Sequence, residues 1–306
     1  MNIAEIISPL IFIASLGYLC AKTKWLSKNQ LDGISKLTFN LCIPAFLFYS
    51  MANATFSQTL NLTFFLAFYL PVLLCYMLAG IINYIFHPVY QHNLHASAIF
   101  ALSCSYSNTV IVGLPILVMM FGEQAMLLIF AIVTFHSAML FTLTSMLGAK
   151  NNTQAWYKTL LKTFNNPLLI SIIAGALINL LGLTLPTLLN ESLRLLAKPA
   201  ITLALFILGA SLTFYPLKND LKFVSISTFI KLVLLPITVY LFAYYIFNLP
   251  ALQLNVLVIL SACPTGVNAY LVAQNAHTHE QNAAGTVISS TILAIMSMSF
   301  WLWWLN

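Results

Sequence analysis

Charged side chains are scarce in this sequence. Only 6% of the 306 residues are Asp, Glu, Lys or Arg, whereas 61% are hydrophobic and the mean hydropathy is +0.94. A soluble domain carries about 25% charged residues. The composition therefore excludes a soluble domain and indicates an integral membrane protein.

Acidic residues are the rarest charges, and all six fall in predicted loops or at the edge of an apolar segment. They are Glu5, Asp32, Glu123, Glu191, Asp220 and Glu280. Proton- and sodium-coupled carriers commonly place ionisable groups inside the membrane. A carboxylate proton relay is therefore not expected, although backbone and hydroxyl oxygens could still bind sodium.

The sequence also lacks the patterns of a catalytic, metal or cofactor site, and none is expected. Its five cysteines lie in apolar segments, where thiols pack as small hydrophobes, so no disulfide is expected. Five of the six histidines fall in predicted loops without ligand spacing, and we expect them to be solvated. His136 lies within an apolar segment and either titrates or bonds a neighbour. The serines of the apolar segments have no matched base, which disfavours an enzyme.

Long apolar runs predict an all-α protein with ten transmembrane helices. The segments lie near residues 5–20, 37–54, 60–86, 94–120, 125–147, 166–185, 192–213, 222–248, 254–276 and 283–304. One set of loops receives Lys22, Lys24, Lys28, Lys36, Lys150, Lys158, Lys162, Lys218 and Lys222. The other set receives only Arg194 and Lys198. The lysine-rich face is therefore predicted to be cytoplasmic, with both termini outside.

The two halves of the sequence repeat a series of landmarks. Proline and glycine are eight residues apart at Pro9 and Gly17 and again at Pro167 and Gly175. Later matches pair Pro44 with Pro199, Pro71 with Pro236, Cys104 and Asn108 with Cys263 and Asn268, and Glu123-Gln124 with Glu280-Gln281. Five segments per half insert the halves in opposite orientations. We expect one membrane domain of two inverted repeats, residues 1–150 and 151–306.

Polar residues and helix breakers interrupt the fourth and ninth predicted segments, in CSYSNTVIVGLP (104–115) and CPTGVNAY (263–270). The breakers are Gly113, Pro115, Pro264 and Gly266, and the candidate substrate-binding residues are Ser107, Asn108, Thr109, Thr265 and Asn268. Because irregular backbone at membrane depth survives only inside protein or along a watery cavity, the broken helices should meet near the membrane centre. Their exposed amides would favour an anion. Bonding of the two asparagines to neighbouring helices is the alternative.

Four stretches resemble the auxin efflux carrier family of membrane transporters, which includes plant auxin exporters and many bacterial carriers. They are FNLCIPAFLF (39–48), SNTVIVGLPIL (107–117), NNPLLISIIAG (165–175) and PTGVNAYLVA (264–273). The resemblance covers essentially the whole chain. It implies ten spans in two inverted repeats, with a scaffold part (spans 1, 2, 6 and 7) and a transport part (spans 3–5 and 8–10) in which the fourth and ninth spans cross.

The resemblance also implies secondary transport of mono- or dicarboxylates. Ala269 stands where the plant branch has a second crossover proline, and residues 148–165 form a short linker instead of a long cytoplasmic loop. Both features disfavour auxin itself. The bacterial branch, with carriers proposed for malate and malonate, is more similar.

The expected activity is export of an organic anion by the membrane potential, which supplies about 2.3 kcal/mol per charge per 100 mV. A sodium- or proton-coupled symporter of related ten-span fold is the alternative. Lys231, about nine residues into the eighth segment, either snorkels to the cytoplasmic interface or offsets a substrate carboxylate. The scattered cations form no basic stripe, which excludes nucleic acid. The expected partners are the anion and the lipid of the cytoplasmic membrane, and a homodimer stays an open alternative.

Overall fold

The computed structural model describes residues 3–54, 61–148, 166–214 and 221–305. The predicted boundary between the repeats at residues 150 and 151 lies outside these residues, as do the linker at 149–165 and the lysines at 150, 158, 162 and 218. Every regular element of the described residues is helical.

Fifteen α-helices are described. They are α1 (Ile3–Lys22), α2 (Lys28–Leu37), α3 (Ile43–Ala52), α4 (Leu62–Phe86), α5 (Leu94–Ser105), α6 (Leu114–Phe121), α7 (Met126–Gly148), α8 (Pro167–Leu180), α9 (Thr187–Ala197), α10 (Ala200–Ser211), α11 (Leu221–Phe229), α12 (Leu235–Leu241), α13 (Ala251–Ala262), α14 (Val267–Asn275) and α15 (Glu280–Leu305). π-helical turns lie at Thr38–Cys42, Thr109–Gly113, Ile230–Leu234 and Phe242–Ile246.

Three of the π turns stand two residues before a proline. They precede Pro44, Pro115 and Pro236. Proline lacks an N–H and its ring collides with the carbonyl four residues earlier, so a regular α turn cannot continue through it. The wider π turn lets the chain stay helical up to the proline. The chain therefore stays helical through each of these prolines.

Asparagine side chains begin several of the helices. The Asn61 side chain accepts a bond from the Phe64 N–H at the start of α4 (3.0 Å), and Asn93 accepts from Ala96 at the start of α5 (3.1 Å). Such caps supply acceptors for the first N–H groups of a helix, which have no partner inside it.

Six helical segments of the described residues are long and apolar enough to cross a membrane. They are Lys28–Ala52, Leu62–Phe86, Met126–Gly148, Thr187–Ser211, Leu221–Ile246 and Glu280–Leu305. Shorter apolar helices occupy the remaining predicted segments, including the two interrupted ones. The protein is thus an all-helical multi-pass membrane protein, and the count of ten spans and their inverted layout stay predictions.

The chain divides into two compact units, each drawn from both halves of the sequence. Unit 1 takes its described residues from 1–59, 114–134 and 162–214, and unit 2 takes its own from 60–113, 135–161 and 215–306. Unit 1 thus contains the first, second, sixth and seventh predicted segments and also residues 114–134 of the fourth and fifth. Unit 2 contains residues 104–113 of the first interrupted stretch and the whole of the second.

Unit 1 is held by two pairs of closely packed helices. A Cβ atom at Gly17 would collide with the carbonyl group of Phe206, so α1 and α10 touch through their backbones. A Cβ at Gly175 would lie 2.6 Å from the carbonyl oxygen of Phe48, so α8 also packs closely on α3. Small residues permit this approach between membrane helices.

Unit 2 joins its helices through paired hydroxyl groups. Ser227 on α11 contacts Thr286 on α15 (Oγ to Oγ1, 2.5 Å), and Thr228 contacts Ser289 in the same pair of helices (2.6 Å). Such bonds contribute about 0.6 kcal/mol each on average within a membrane. They fix α15 beside α11 within unit 2.

Candidate functional site

The first interruption lies between α5 and the π turn at Thr109–Gly113. Residues 106–108 leave the helix, which releases the Ser107 N–H from its helical acceptor. That N–H donates to His136 Nε2 on α7 at 3.0 Å. The N–H of Asn108 donates to the carbonyl oxygen of Pro264 at 2.8 Å. The freed groups are thus satisfied by other segments of unit 2.

The second interruption lies between α13 and α14, at residues 263–266. The Thr265 N–H donates to Ser290 Oγ on α15 at 3.0 Å, and its hydroxyl donates to the carbonyl oxygen of Ser103 at 2.8 Å. Pro264 has no N–H to satisfy. The polar backbone of this interruption therefore has its partners inside the protein, as lipid depth demands.

The two interruptions meet in unit 2. Ser107 lies opposite Thr265 in an antiparallel bridge, and the Gly266 N–H donates to the carbonyl oxygen of Tyr106 at 3.0 Å. Ser107 is 1% exposed and Thr265 is fully buried. We call residues 106–108 and 263–266 together the crossing. Each interrupted stretch supplies hydrogen-bond partners to the other.

The position of the first interruption differs from the prediction. The sequence places the break at Gly113 and Pro115, but Gly113 closes a π turn and Pro115 lies in the first turn of α6. The π turn accommodates the proline, so the chain stays helical from Thr109 to Phe121. A Cβ at Gly113 would lie 2.8 Å from Leu260 Cδ2. Gly113 therefore allows close packing on α13, and the chain breaks earlier, at 106–108.

Three buried polar groups at the crossing have no hydrogen-bond partner among the described residues. They are Ser107 Oγ, Asn108 Nδ2 and His136 Nδ1. The Asn108 side-chain oxygen accepts from the Ile111 N–H at 3.3 Å, so only the side-chain N–H groups of Asn108 lack a partner. His136 Nε2 accepts from Ser107, so the ring proton of neutral His136 lies on Nδ1. All three groups can therefore donate.

The other candidate residues surround the crossing in different ways. Thr109 is buried at the start of the π turn, whereas Asn268 is exposed and donates from Nδ2 to the Tyr106 hydroxyl at 3.3 Å. Tyr106, which sequence reasoning missed, stacks on the His136 ring (centroids 5.2 Å apart, 10° between planes) and bonds Ser137 (2.9 Å). Its signal was an aromatic residue directly beside the polar run.

Lys231 lies in the π turn between α11 and α12 and is fully buried. Its Nζ donates to the carbonyl oxygen of Ser261 at 2.6 Å, one residue before the end of α13. Snorkelling would leave the ammonium exposed, so that interpretation is wrong. The ammonium lies at the helix end that leads into the crossing.

Two histidines expected to be solvated are instead buried. His87 and His279, 3% and 4% exposed, pack ring to ring at 4.8 Å with Tyr90, Phe100 and Phe223 around them. We call these five residues the histidine cluster. Burial, and then the proximity of His87, lowers the pKa of His279 to about 3. Among the described residues no group of three or more His, Cys, Asp or Glu could hold a metal ion.

Known proteins similar to this chain match it along nearly its whole length. A family model described as "Membrane transport protein" matches residues 2–157 and 153–302. The "Uncharacterized transporter YfdV" of Escherichia coli (strain K12) is 22% identical over 304 residues, covering 96% of this chain and 95% of that protein. The "Putative malonate transporter" of Rhizobium meliloti (strain 1021) is 22% identical, with 97% and 94% covered. The "Auxin efflux carrier component 8" of Arabidopsis thaliana is 24% identical, with 94% and 93% covered.

Proposed function

Because the chain belongs to the auxin efflux carrier family of membrane transport proteins, we propose that it carries small organic anions across the cytoplasmic membrane by alternating access. It is a transporter and not an enzyme. The observation that carries the proposal is the set of unpartnered donors at the crossing: Ser107 Oγ, Asn108 Nδ2 and His136 Nδ1.

Unpartnered buried donors favour an anionic substrate. A buried donor without an acceptor costs about 1–3 kcal/mol, and a bound acceptor removes that cost. An ionised carboxylate only accepts hydrogen bonds and offers about four lone-pair positions. A small carboxylate therefore matches these groups better than a cation or an apolar molecule.

The backbone adds a second attraction for an anion. Helix α14 begins at the crossing after Gly266, and no side chain caps its first N–H groups. These N–H groups and the helix dipole give the start of α14 a partial positive charge. Half-helices of transporters commonly direct this end toward the anionic groups of their substrates.

The proposed transport cycle assigns different roles to two sets of spans. Spans 3–5 and 8–10, which include the crossing, act as the transport part, and spans 1, 2, 6 and 7 act as the scaffold. Ten spans in two inverted repeats, with both termini outside the cytoplasm, complete the proposed layout. A potential negative inside contributes about 2.3 kcal/mol per exported charge per 100 mV, so export needs no coupled ion. One relative is named for malonate, which supports testing dicarboxylates first.

Charge movement across proteoliposomes tests this function. Purified protein is challenged with malonate, malate, indole-acetate and benzoate, with and without sodium. We expect a current from at least one acid that does not depend on sodium. At low acid concentration this current should fall strongly in Asn108→Ala and stay unchanged in Asn275→Ala. Asn275 is an exposed asparagine at the end of α14 and serves as the matched control.

Two results would contradict the proposal. Silence for every acid from folded, reconstituted protein removes the carboxylate assignment. An undiminished current in Asn108→Ala removes the crossing as the binding site. A current that requires sodium identifies the symport alternative.

A further inference from the structure

Lys231 is the one Lys or Arg side chain among the described residues that is buried. Its ammonium donates a hydrogen bond to the carbonyl oxygen of Ser261, at 2.6 Å. Removing an ammonium from water is costly unless it meets a compensating charge or dipole. What compensates Lys231 therefore indicates what it does.

The Ser261 carbonyl is available because the second interruption removes its helical partner. In a continuous helix this oxygen would accept from the N–H of Thr265, four residues later. That N–H instead donates to Ser290 Oγ at 3.0 Å. Pro264 cannot supply a donor for the preceding carbonyl either. The last turn of α13 thus ends in carbonyls without helical donors, and Lys231 takes one of them.

A helix C-terminus of this kind attracts a cation. The aligned peptide dipoles leave about half a negative charge at the end of the helix, within its last turn. In transporters, C-terminal ends of half-helices and unwound carbonyls commonly bind the coupling sodium ion or proton. In this chain an ammonium that is part of the protein lies at such an end.

We propose that Lys231 is a resident cation, which takes at the end of α13 the place that a sodium ion would occupy in a coupled carrier. The inference rests on the proposed function and deepens it, since it states why anion transport needs no sodium. Because the ammonium is covalently held, it is present in every state of the cycle and is never carried across.

The surroundings of the ammonium fit a fixed positive charge. Among the described residues, the titratable side chains that interact electrostatically with Lys231 are the thiols of Cys75, Cys104 and Cys263 and the imidazole of His136. None of these is a carboxylate that would neutralise it. The positive charge of Lys231 is therefore available to attract an anion. It also interacts electrostatically with His136, which accepts the hydrogen bond from the Ser107 N–H at the crossing.

The test compares removal of this lysine with removal of an exposed one. Lys231→Ala opens space beside the Ser261 carbonyl, and Lys222→Ala on the same segment removes an exposed ammonium. Two quantities are measured with sodium chloride, methylammonium chloride or choline chloride at constant ionic strength. One is the thermal unfolding midpoint in detergent, and the other is the carboxylate current in proteoliposomes.

We expect wild type and Lys222→Ala to give the same midpoint and current in all three salts. In choline, the current of Lys231→Ala should be at least about fivefold smaller than that of wild type. Sodium or methylammonium, but not choline, should restore current and raise its unfolding midpoint by about 3 °C, because a cation small enough for the vacated position binds only the folded protein.

Several outcomes would overturn the resident cation. These are wild-type currents that need sodium, a wild-type midpoint raised by sodium alone, or a Lys231→Ala protein whose response matches that of Lys222→Ala. If Lys231→Ala does not fold in choline, recovery of folded protein with methylammonium supports the proposal, and failure of every small cation to recover it counts against it. Lack of any carboxylate current in wild type overturns the proposed function, whereas the thermal measurements still decide the cation site.

Discussion

The two interruptions of unit 2 release the same backbone groups and satisfy them differently. At the first, the Ser103 carbonyl loses its helical donor and accepts from the hydroxyl of Thr265 at 2.8 Å. The released N–H of Ser107 donates to His136 at 3.0 Å. A neutral hydroxyl and a neutral imidazole therefore close the first gap.

At the second interruption the equivalent carbonyl belongs to Ser261, and it accepts from the ammonium of Lys231 at 2.6 Å. The released N–H of Thr265 donates to Ser290 at 3.0 Å. A full positive charge thus replaces the hydroxyl of the first gap. Matching breaks in the two halves therefore do not make matching sites, because the side chains that fill them decide their charge.

A second difference concerns groups left open. The first interruption keeps unpartnered donors on Ser107 and Asn108, whereas the hydroxyl and N–H of Thr265 at the second are both bonded. We infer that the second interruption stabilises the crossing and that the first one binds the substrate. Substitutions at each interruption test this division.

Gly266→Ala should destabilise the protein more than Gly113→Ala. A Cβ at Gly266 would collide with the ring of Tyr106, which is held by the His136 stack and by its own hydroxyl bonds. A Cβ at Gly113 would meet the ends of Leu260 and Cys263 side chains, at 2.8 and 2.9 Å, and these can shift.

Overpacking typically costs 1–3 kcal/mol, so we expect about 3 kcal/mol for Gly266→Ala and about 1 kcal/mol for Gly113→Ala. Thermal unfolding midpoints in detergent measure both. Equal losses would show that the second interruption is no more rigid than the first.

Thr265→Val should cost about 2 kcal/mol, because it leaves the buried carbonyl of Ser103 without a donor. Thr291→Val is the matched control on α15. The Thr291 hydroxyl bonds the carbonyl of Val287 in its own helix, where the backbone N–H still serves that oxygen, so its loss should cost less than about 0.5 kcal/mol. If the two variants unfold at the same temperature, the bond to Ser103 does not fasten the crossing.

Asn108→Ala should weaken carboxylate binding about tenfold or more, because a hydrogen bond to a charged group is worth about 1.5–3 kcal/mol. Asn268→Ala should have a smaller effect, since Asn268 is exposed and its Nδ2 already bonds Tyr106. The apparent affinity read from proteoliposome currents measures both. A larger loss of affinity in Asn268→Ala would assign substrate binding to α14, at the second interruption, and contradict the inferred roles of the two interruptions.

Local signals in the sequence sufficed to find the apolar segments and the second interruption. Pro264 and Gly266 stand where the helix stops, because each removes helical stability regardless of its surroundings. The first interruption was predicted several residues too late. It is fixed by bonds from Ser107 to His136 and from Asn108 to Pro264, which join residues far apart in the chain and leave no local pattern.

Burial of isolated polar side chains was equally hidden. The sequence predicts a solvated His279, and for Lys231 it leaves open whether the ammonium snorkels to the interface or offsets a substrate carboxylate. Their burial depends on which helices pack around them. The acceptor of Lys231 is free only because Thr265, in the interruption that follows α13, donates its N–H to Ser290 on α15 instead of to Ser261. Such dependence on a third element cannot be inferred from spacing.

The histidine cluster tests whether the fastening of the crossing extends to the far ends of its helices. His279 follows α14, and its ring lies 5.6 Å from that of Phe100 on α5. Its pKa of about 3 in the folded protein lies below the unfolded value of about 6.5, so the folded state disfavours protonation. The stability that depends on neutral His279 is therefore fully present above about pH 6.5 and is lost as the pH falls toward 3.

Lowering the pH from 7.5 to about 5.8 should reduce the free energy of unfolding by about 1 kcal/mol, or the unfolding midpoint by about 2 °C, through this residue. His279→Gln should show a smaller pH response, whereas the exposed His277→Gln should behave like wild type. The carboxylate affinity should depend less on pH than the stability does, since the histidine cluster contains none of the proposed binding groups. An equal pH response in all three proteins would place the fastening at the crossing alone, where Thr265 and Ser290 hold it.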